Sequence, residues 1–286
     1  MKNYFRALAV VAFALISQIS YAQIETPLPS PKGTVSTKVG LTDVSIEYFR
    51  PQVKGRKIFG ELVAFDEVWR TGANGGTKVT FGDDVKVGGK SLAAGTYQLL
   101  SIPSKTEWTV IFYTDTKIGG NMSKYSKEKD AVRLMIKPSK IKPTVQMLTF
   151  NISDLSENSE MAAIELTWEN TSVKIPVTVS YDDKVMASIK ENIGKEPGSY
   201  AVAARYYLDK GKDMDQALEW INTYLSTGEN SKQFWQVYVK AKILAAKGDK
   251  EEAIKVAKES KKLASESKAG DFGYIKRNED LIASLK

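Results

Sequence analysis

From Thr34 to Val179 the apolar positions recur in short β-branched and aromatic runs, broken at close intervals by Gly, Pro, Asn and Asp. Residues 44–50 alternate and stop at Pro51. Residues 77–81 end at Gly82-Asp83-Asp84, and 85–87 lead into Gly88-Gly89, a two-residue hairpin signal. Residues 96–102 end at Pro103, and 107–113 set Trp108, Val110 and Phe112 on one face. Further strands are expected over 131–137, 146–152, 161–168 and 172–179, with Asn158, Asn170 and Asp182-Asp183 as punctuation. This pattern, with no convincing helix in it, predicts an antiparallel β-sandwich of a jelly-roll-like kind.

After Tyr181 the period changes to that of a helix. Amphipathic stretches cover 185–193, 199–208, 213–225, 232–246, 250–265 and 272–285, and Gly194, Gly211, Gly228, Gly248 and Gly270 stand where helices should end. The expected fold class is therefore α+β multidomain. A β-sandwich over 23–182 is followed by a helical domain over 183–286, with the boundary near 181–184.

The helical tail repeats itself. Ala204, Tyr207, Gly211 and Ala217 recur in kind as Ala241, Leu244, Gly248 and Ala253, followed by Ala257. Small residues let paired helices approach, and glycine permits the turn between them. The spacing fits tetratricopeptide-like (TPR-like) helical hairpins. A generic helical bundle needs the same alanines and stays open as a reading. Two copies are few for a free solenoid, so their ends need capping.

The first 22 residues read as a cleavable export signal. Lys2 and Arg6 precede an apolar run from Ala7 to Ile19, too short to span a bilayer, and Ser20 and Ala22 precede a cut before Gln23. No cysteine follows, so a lipoprotein signal is excluded. The expected location is periplasmic or secreted, with no membrane span after cleavage. The chain lacks both cysteine and histidine. That removes disulfides, thiolate zinc and iron–sulfur sites, cysteine nucleophiles and the Ser-His-Asp triad. The formal charge of +7 is spread along the chain without a basic block, so nucleic acid is not an expected partner.

The densest chemistry lies in residues 47–74. Arg50, Lys54, Arg56 and Lys57 fall within a short loop-like run, Arg70 follows Trp69, and Gly55, Gly60 and Gly72 allow tight backbone paths. One reading is a loop that binds a carboxylate, phosphate or sugar acid through guanidinium forks. The other is structural: the cations pair with Glu47, Glu61, Asp66 and Glu67, or Arg70 packs on a ring. Residues alone favour the structural reading.

The runs RPxVKGRxIFGxLV (50–63), VWRTGAN (68–74), AGTYxL (94–99) and EWTVIF (107–112), in this order, resemble the DUF2911 domain-of-unknown-function family of exported bacterial β-rich proteins. Some of these carry a TPR-like tail. The resemblance covers about residues 27–180 and implies an exported β domain, without an established reaction, substrate or cofactor. The chain departs from the family pattern at Gly75-Gly76, where a glutamate is common, and at Ile118-Gly119-Gly120, where a Trp-Gly pair is common. Carried over residue by residue, the block gives Arg50, Lys54, Arg56, Trp69, Arg70 and Asn74 as ligand-binding candidates.

Other chemistry is sparse. The acidic pairs Asp83-Asp84 and Asp182-Asp183 lack EF-hand spacing and read as turn acids, and the GANGG run (72–76) lacks the features of a phosphate loop. No metal site and no cofactor are expected. Trp108, Phe112, Phe150 and Trp168 fit an apolar core. The tail is rich in rings, and Trp220, Tyr224, Trp235 and Tyr238 are candidates for a protein partner's groove. The expected function is a non-catalytic binding or assembly module of the cell envelope whose helical repeat meets a protein partner. The alternative is a β domain that binds, or hydrolyses, a glycan or small anion.

Overall fold

Alternation in the sequence becomes two antiparallel sheets in the computed structural model, which describes residues 26–286. The expected export segment therefore lies outside the described residues. The first sheet has six strands in the order β1-β2-β3-β6-β7-β8. These are β1 Lys32–Val39, β2 Thr42–Phe49, β3 Thr77–Phe81, β6 Gly95–Ile102, β7 Trp108–Tyr113 and β8 Asp130–Ile136. The second sheet has the order β5-β4-β10-β9, with β4 Val85–Val87, β5 Lys90–Leu92, β9 Ser139–Ser153 and β10 Met161–Val179. Chain neighbours pair with one another except where the β4–β5 hairpin leaves the first sheet for the second and where the chain crosses again from β8 to β9. Gly88 and Gly89 form its turn with φ of +54° and +80°, a conformation glycine adopts without a Cβ penalty.

One face of each strand is buried. Val44, Ile46 and Tyr48 on β2 and Val79 and Phe81 on β3 point inward, with Thr80 and Glu47 between them facing out. The sheets touch through rings: Tyr48 meets Phe150 on β9 edge to face at 5.1 Å, and its hydroxyl donates to the Phe150 carbonyl at 3.5 Å. Two details differ from the sequence expectation. Residues 161–179 form one strand, not two with a turn at Asn170. Register shifts flank Glu169, whose φ is +54°, and the Asn170 amide donates to the Ile141 carbonyl and the Thr144 hydroxyl at 3.1 Å each. A bulge absorbs the turn-forming residue while pairing continues. β9 also starts at Ser139, earlier than the alternation suggests, because residues 139–145 are mostly exposed and polar.

The chain divides into two compact units between Ser180 and Tyr181. The second contains six α-helices: α1 Asp182–Asn192, α2 Pro197–Asp209, α3 Met214–Leu225, α4 Phe234–Lys247, α5 Lys250–Glu266 and α6 Tyr274–Leu285. Asp182 and Asp183 open α1, where carboxylates favour the helix N-terminus. They are helix-start residues, not strand-end turn acids. Asp213 caps α3 by accepting from the Asp215 and Gln216 amides at 3.0 Å each, and Gly248 ends α4 with φ +91°. Fully buried alanines set the close helix contacts: Ala204 and Ala217 between α2 and α3, Ala241, Ala253 and Ala257 between α4 and α5. Ser260 and Asn278 join α5 to α6 through a buried bond of 2.9 Å.

Ala217→Leu and Ala253→Leu should each destabilise the helical unit by about 1–3 kcal/mol, because no room exists for the larger side chain. Urea unfolding followed by helical circular dichroism measures this. A loss below about 0.5 kcal/mol would contradict the packing described.

Candidate functional site

Residues 50–76 connect β2 to β3 without long strands, yet they are held at both ends by backbone pairing. Near the start, the Val53 amide donates to the Gln146 carbonyl at 2.7 Å and the Leu148 amide to the Pro51 carbonyl at 3.0 Å, tying the segment to β9. Near the end, Trp69 and Ser101 exchange amide–carbonyl bonds of 2.7 and 2.9 Å, tying it to β6. Between these ties the segment inserts Phe59 and Trp69 among Trp108 of β7 and Trp168 of β10. Phe59 lies 4.7 Å from Trp108 and 6.1 Å from Trp168, both edge to face, and Trp69 stacks on Trp168 at 6.1 Å and 18°.

The turn after Trp69 is unusual. Thr71 is β-branched and buried, with φ +53°, a region such residues rarely enter. Three hydrogen bonds hold it there. Its hydroxyl pairs with Ser101 Oγ at 2.9 Å and donates to the Trp69 carbonyl at 3.3 Å, while its carbonyl accepts from Thr77 Oγ1 at 2.5 Å. Gly76 follows with φ +79°, and a Cβ there would lie 2.3 Å from Gln98 Nε2 and 2.8 Å from the Arg70 carbonyl, so glycine is required.

Over this frame opens a cavity of about 340 Å³. Lys54, Arg56, Trp69 and Arg70 line it, so four of the six candidates share one concavity. Arg50 and Asn74 are not among its lining residues. The Arg50 guanidinium turns to β9, donating to Thr149 Oγ1 at 3.1 Å and the Leu148 carbonyl at 3.4 Å, a structural pin. Asn74 is exposed, has φ +50°, and reaches the carbonyl of Ser30, itself a lining residue, at 3.4 Å. Arg56 donates from Nε to the Val53 carbonyl at 3.0 Å and from Nη2 to the Gln52 carbonyl at 2.6 Å. Those bonds brace its own loop and leave its charge unneutralised. Lys54 and Arg56 are exposed, and Arg70 is half-buried.

Of the acids expected to neutralise these cations, Glu61 does pair with Lys57 at 3.5 Å, whereas Glu47 pairs with Lys32 at 2.7 Å. Among the described residues, no salt bridge involves Arg50, Lys54, Arg56 or Arg70, and no ring receives Arg70 as a cation–π partner. Arg70 Nε and Trp168 Nε1, both from residues that line the cavity, are buried without an acceptor.

Sequence reasoning assigned Trp168 to the core alone. It is 1% exposed and does belong there, but it also closes the cavity. Leu62, Pro29 and Pro51 complete an apolar wall. Pro51 and Leu62 stand in the 50–63 run, but nothing in it marked them as site residues beside the cations, and Pro29 lies outside it. Gly120 packs against Arg70, since a Cβ there would sit 3.5 Å from Arg70 Cδ and Nη1.

In the helical unit, Trp220 packs on Tyr207 at 4.7 Å, Tyr238 on Tyr274 at 5.4 Å, and Tyr224 donates its hydroxyl to Gln233 Oε1 at 2.9 Å. These three serve helix contacts. Trp235 is 38% exposed and, with Val202 at 70%, borders a concavity of about 510 Å³ between α2 and α4.

These features define a β-sheet unit with a cationic loop cavity, followed by a helical unit. Residues 30–177, slightly over half of the chain, match the family described as "Protein of unknown function (DUF2911)", and the chain belongs to that family. No curated protein and no solved structure matches it. Among the described residues no helix is long and apolar enough to cross a membrane, and no acidic cluster could hold a metal ion.

The different surroundings of the cations predict different costs. Arg50→Ala should lower stability by about 1–2 kcal/mol through the lost bonds to β9, whereas Lys54→Ala should stay within about 0.5 kcal/mol of the parent. Chemical denaturation of the two variants side by side measures this. Equal losses would contradict the division of labour.

Proposed function

We propose that this protein is an exported, non-catalytic binding module, periplasmic or secreted, whose β unit takes a small anion in the cavity beside Trp69. The carrying observation is that Lys54, Arg56 and Arg70 line one concavity with no carboxylate paired to any of them among the described residues. Three like charges gathered without a counter-charge repel one another, and an anion relieves that repulsion. The rigid frame under the loop supports binding over catalysis: the cavity carries cations and rings but no acid to act as base or nucleophile. The two sheets are read here as a sandwich. Its jelly-roll-like character rests on the passages of the chain between the sheets, out and back at β4–β5 and again from β8 to β9, and the Tyr48–Phe150 contact supports the facing of the sheets.

A second reading concerns the helical unit, taken as TPR-like. The exposure of Val202 and Trp235 beside an open concavity supports a protein partner there. Val202→Asp and Trp235→Ala should both abolish capture of a partner from envelope extract while leaving helical content unchanged. Capture that survives both changes would remove this reading.

The anion reading is tested on the full mature chain by calorimetry at low salt with inorganic phosphate, acetate and benzoate. At least one should bind saturably, with affinity falling as salt is raised. Lys54→Gln and Arg70→Gln should each weaken it about tenfold, about 1.4 kcal/mol. No binding by any of the three overturns the reading.

A further inference from the structure

The cavity's walls carry more information than its charge. Apart from the three cations, its lining is dominated by Pro29, Pro51, Leu62, Val63, Trp69 and Trp168. Leu62 is 46% exposed, an apolar side chain left in water. A bare inorganic anion gains nothing from such walls and surrenders hydration on entering them. An apolar body gains about 25 cal/mol for each Å² it removes from water.

Arg56 has already committed Nε and Nη2 to carbonyls of its own loop, while Lys54 and Arg70 bring positive charge to the lining. The uncharged polar side chains of the lining are few, Ser30 and Gln52, and no carboxylate lines the cavity, so a polyhydroxylated sugar acid would find few acceptors for its hydroxyl protons. The volume of about 340 Å³ lies near the lower end for small-molecule sites and suits a ligand of about one ring.

We infer that the ligand is a monocarboxylate carried on an apolar ring, an aryl or alicyclic carboxylic acid. Its carboxylate meets Lys54 and Arg70, and its ring lies against Leu62 and Trp69. This inference rests on the anion reading above and narrows it.

Titration calorimetry of the mature chain with benzoate, cyclohexanecarboxylate, acetate, glucuronate, inorganic phosphate and benzyl alcohol tests it. Benzoate or cyclohexanecarboxylate should bind at least tenfold more tightly than acetate, glucuronate and phosphate, and benzyl alcohol should not bind. Leu62→Gln, at a position 46% exposed, should bring the ring acids to the level of acetate, with an unchanged circular dichroism spectrum as the check on folding. Equal affinity across all the anions overturns the inference and leaves the anion reading standing. Preference for glucuronate or phosphate does the same. Failure of every anion, or benzyl alcohol binding as well as benzoate, removes both.

Discussion

Four aromatic rings hold together the end of the β unit that carries the cavity. Trp108 comes from one sheet and Trp168 from the other, while Phe59 and Trp69 come from the long connection between β2 and β3. Strand pairing alone would leave that connection a loose loop. By packing two of its rings against one from each sheet, the chain converts it into a wall whose remaining side chains have defined places. The cations stand on this wall. Arg70 directly follows the stacked Trp69, and Lys54 and Arg56 follow the segment tied to β9.

The sequence revealed the architecture more readily than the site. Residues 77–81 and 85–87 read as strands and are strands with those bounds, because alternation and glycine turns mark them locally. Asn170 misled because a bulge is decided by the partner strand, here through Ile141 and Thr144, and not by the residue itself. The exposed start of β9 was hidden for a similar reason: pairing with β10 carries it, not burial. At the site, the cluster of cations was visible, but their partners were not. Glu47 and Glu61 were both close enough in sequence to neutralise it; Glu61 does pair with Lys57, and only the fold sends Glu47 away to Lys32. Nothing local could assign Arg50 to β9 while placing Arg70 beside the cavity.

The helical unit follows a different economy. Its closest contacts are made by alanines with no exposure at all, and its rings mostly fill the gaps between helices, as Trp220 does against Tyr207. Aromatic richness was thus a poor guide to surface, and exposure separates Trp235 from the other three candidates. The Ser260–Asn278 bond joins two buried polar side chains, and it penalises any sliding of α6 along α5 that would break it.

Thr71 adds a mechanical property to the cavity. A β-branched residue held at φ +53° carries an unfavourable torsion on the order of 1–3 kcal/mol, and the bonds from Ser101 and Thr77 keep it loaded. Cranking the main chain there to swing Arg70 aside would have to sever those bonds together. The main chain that carries Arg70 is therefore pinned at this point, and the guanidinium can move only through its own side-chain torsions.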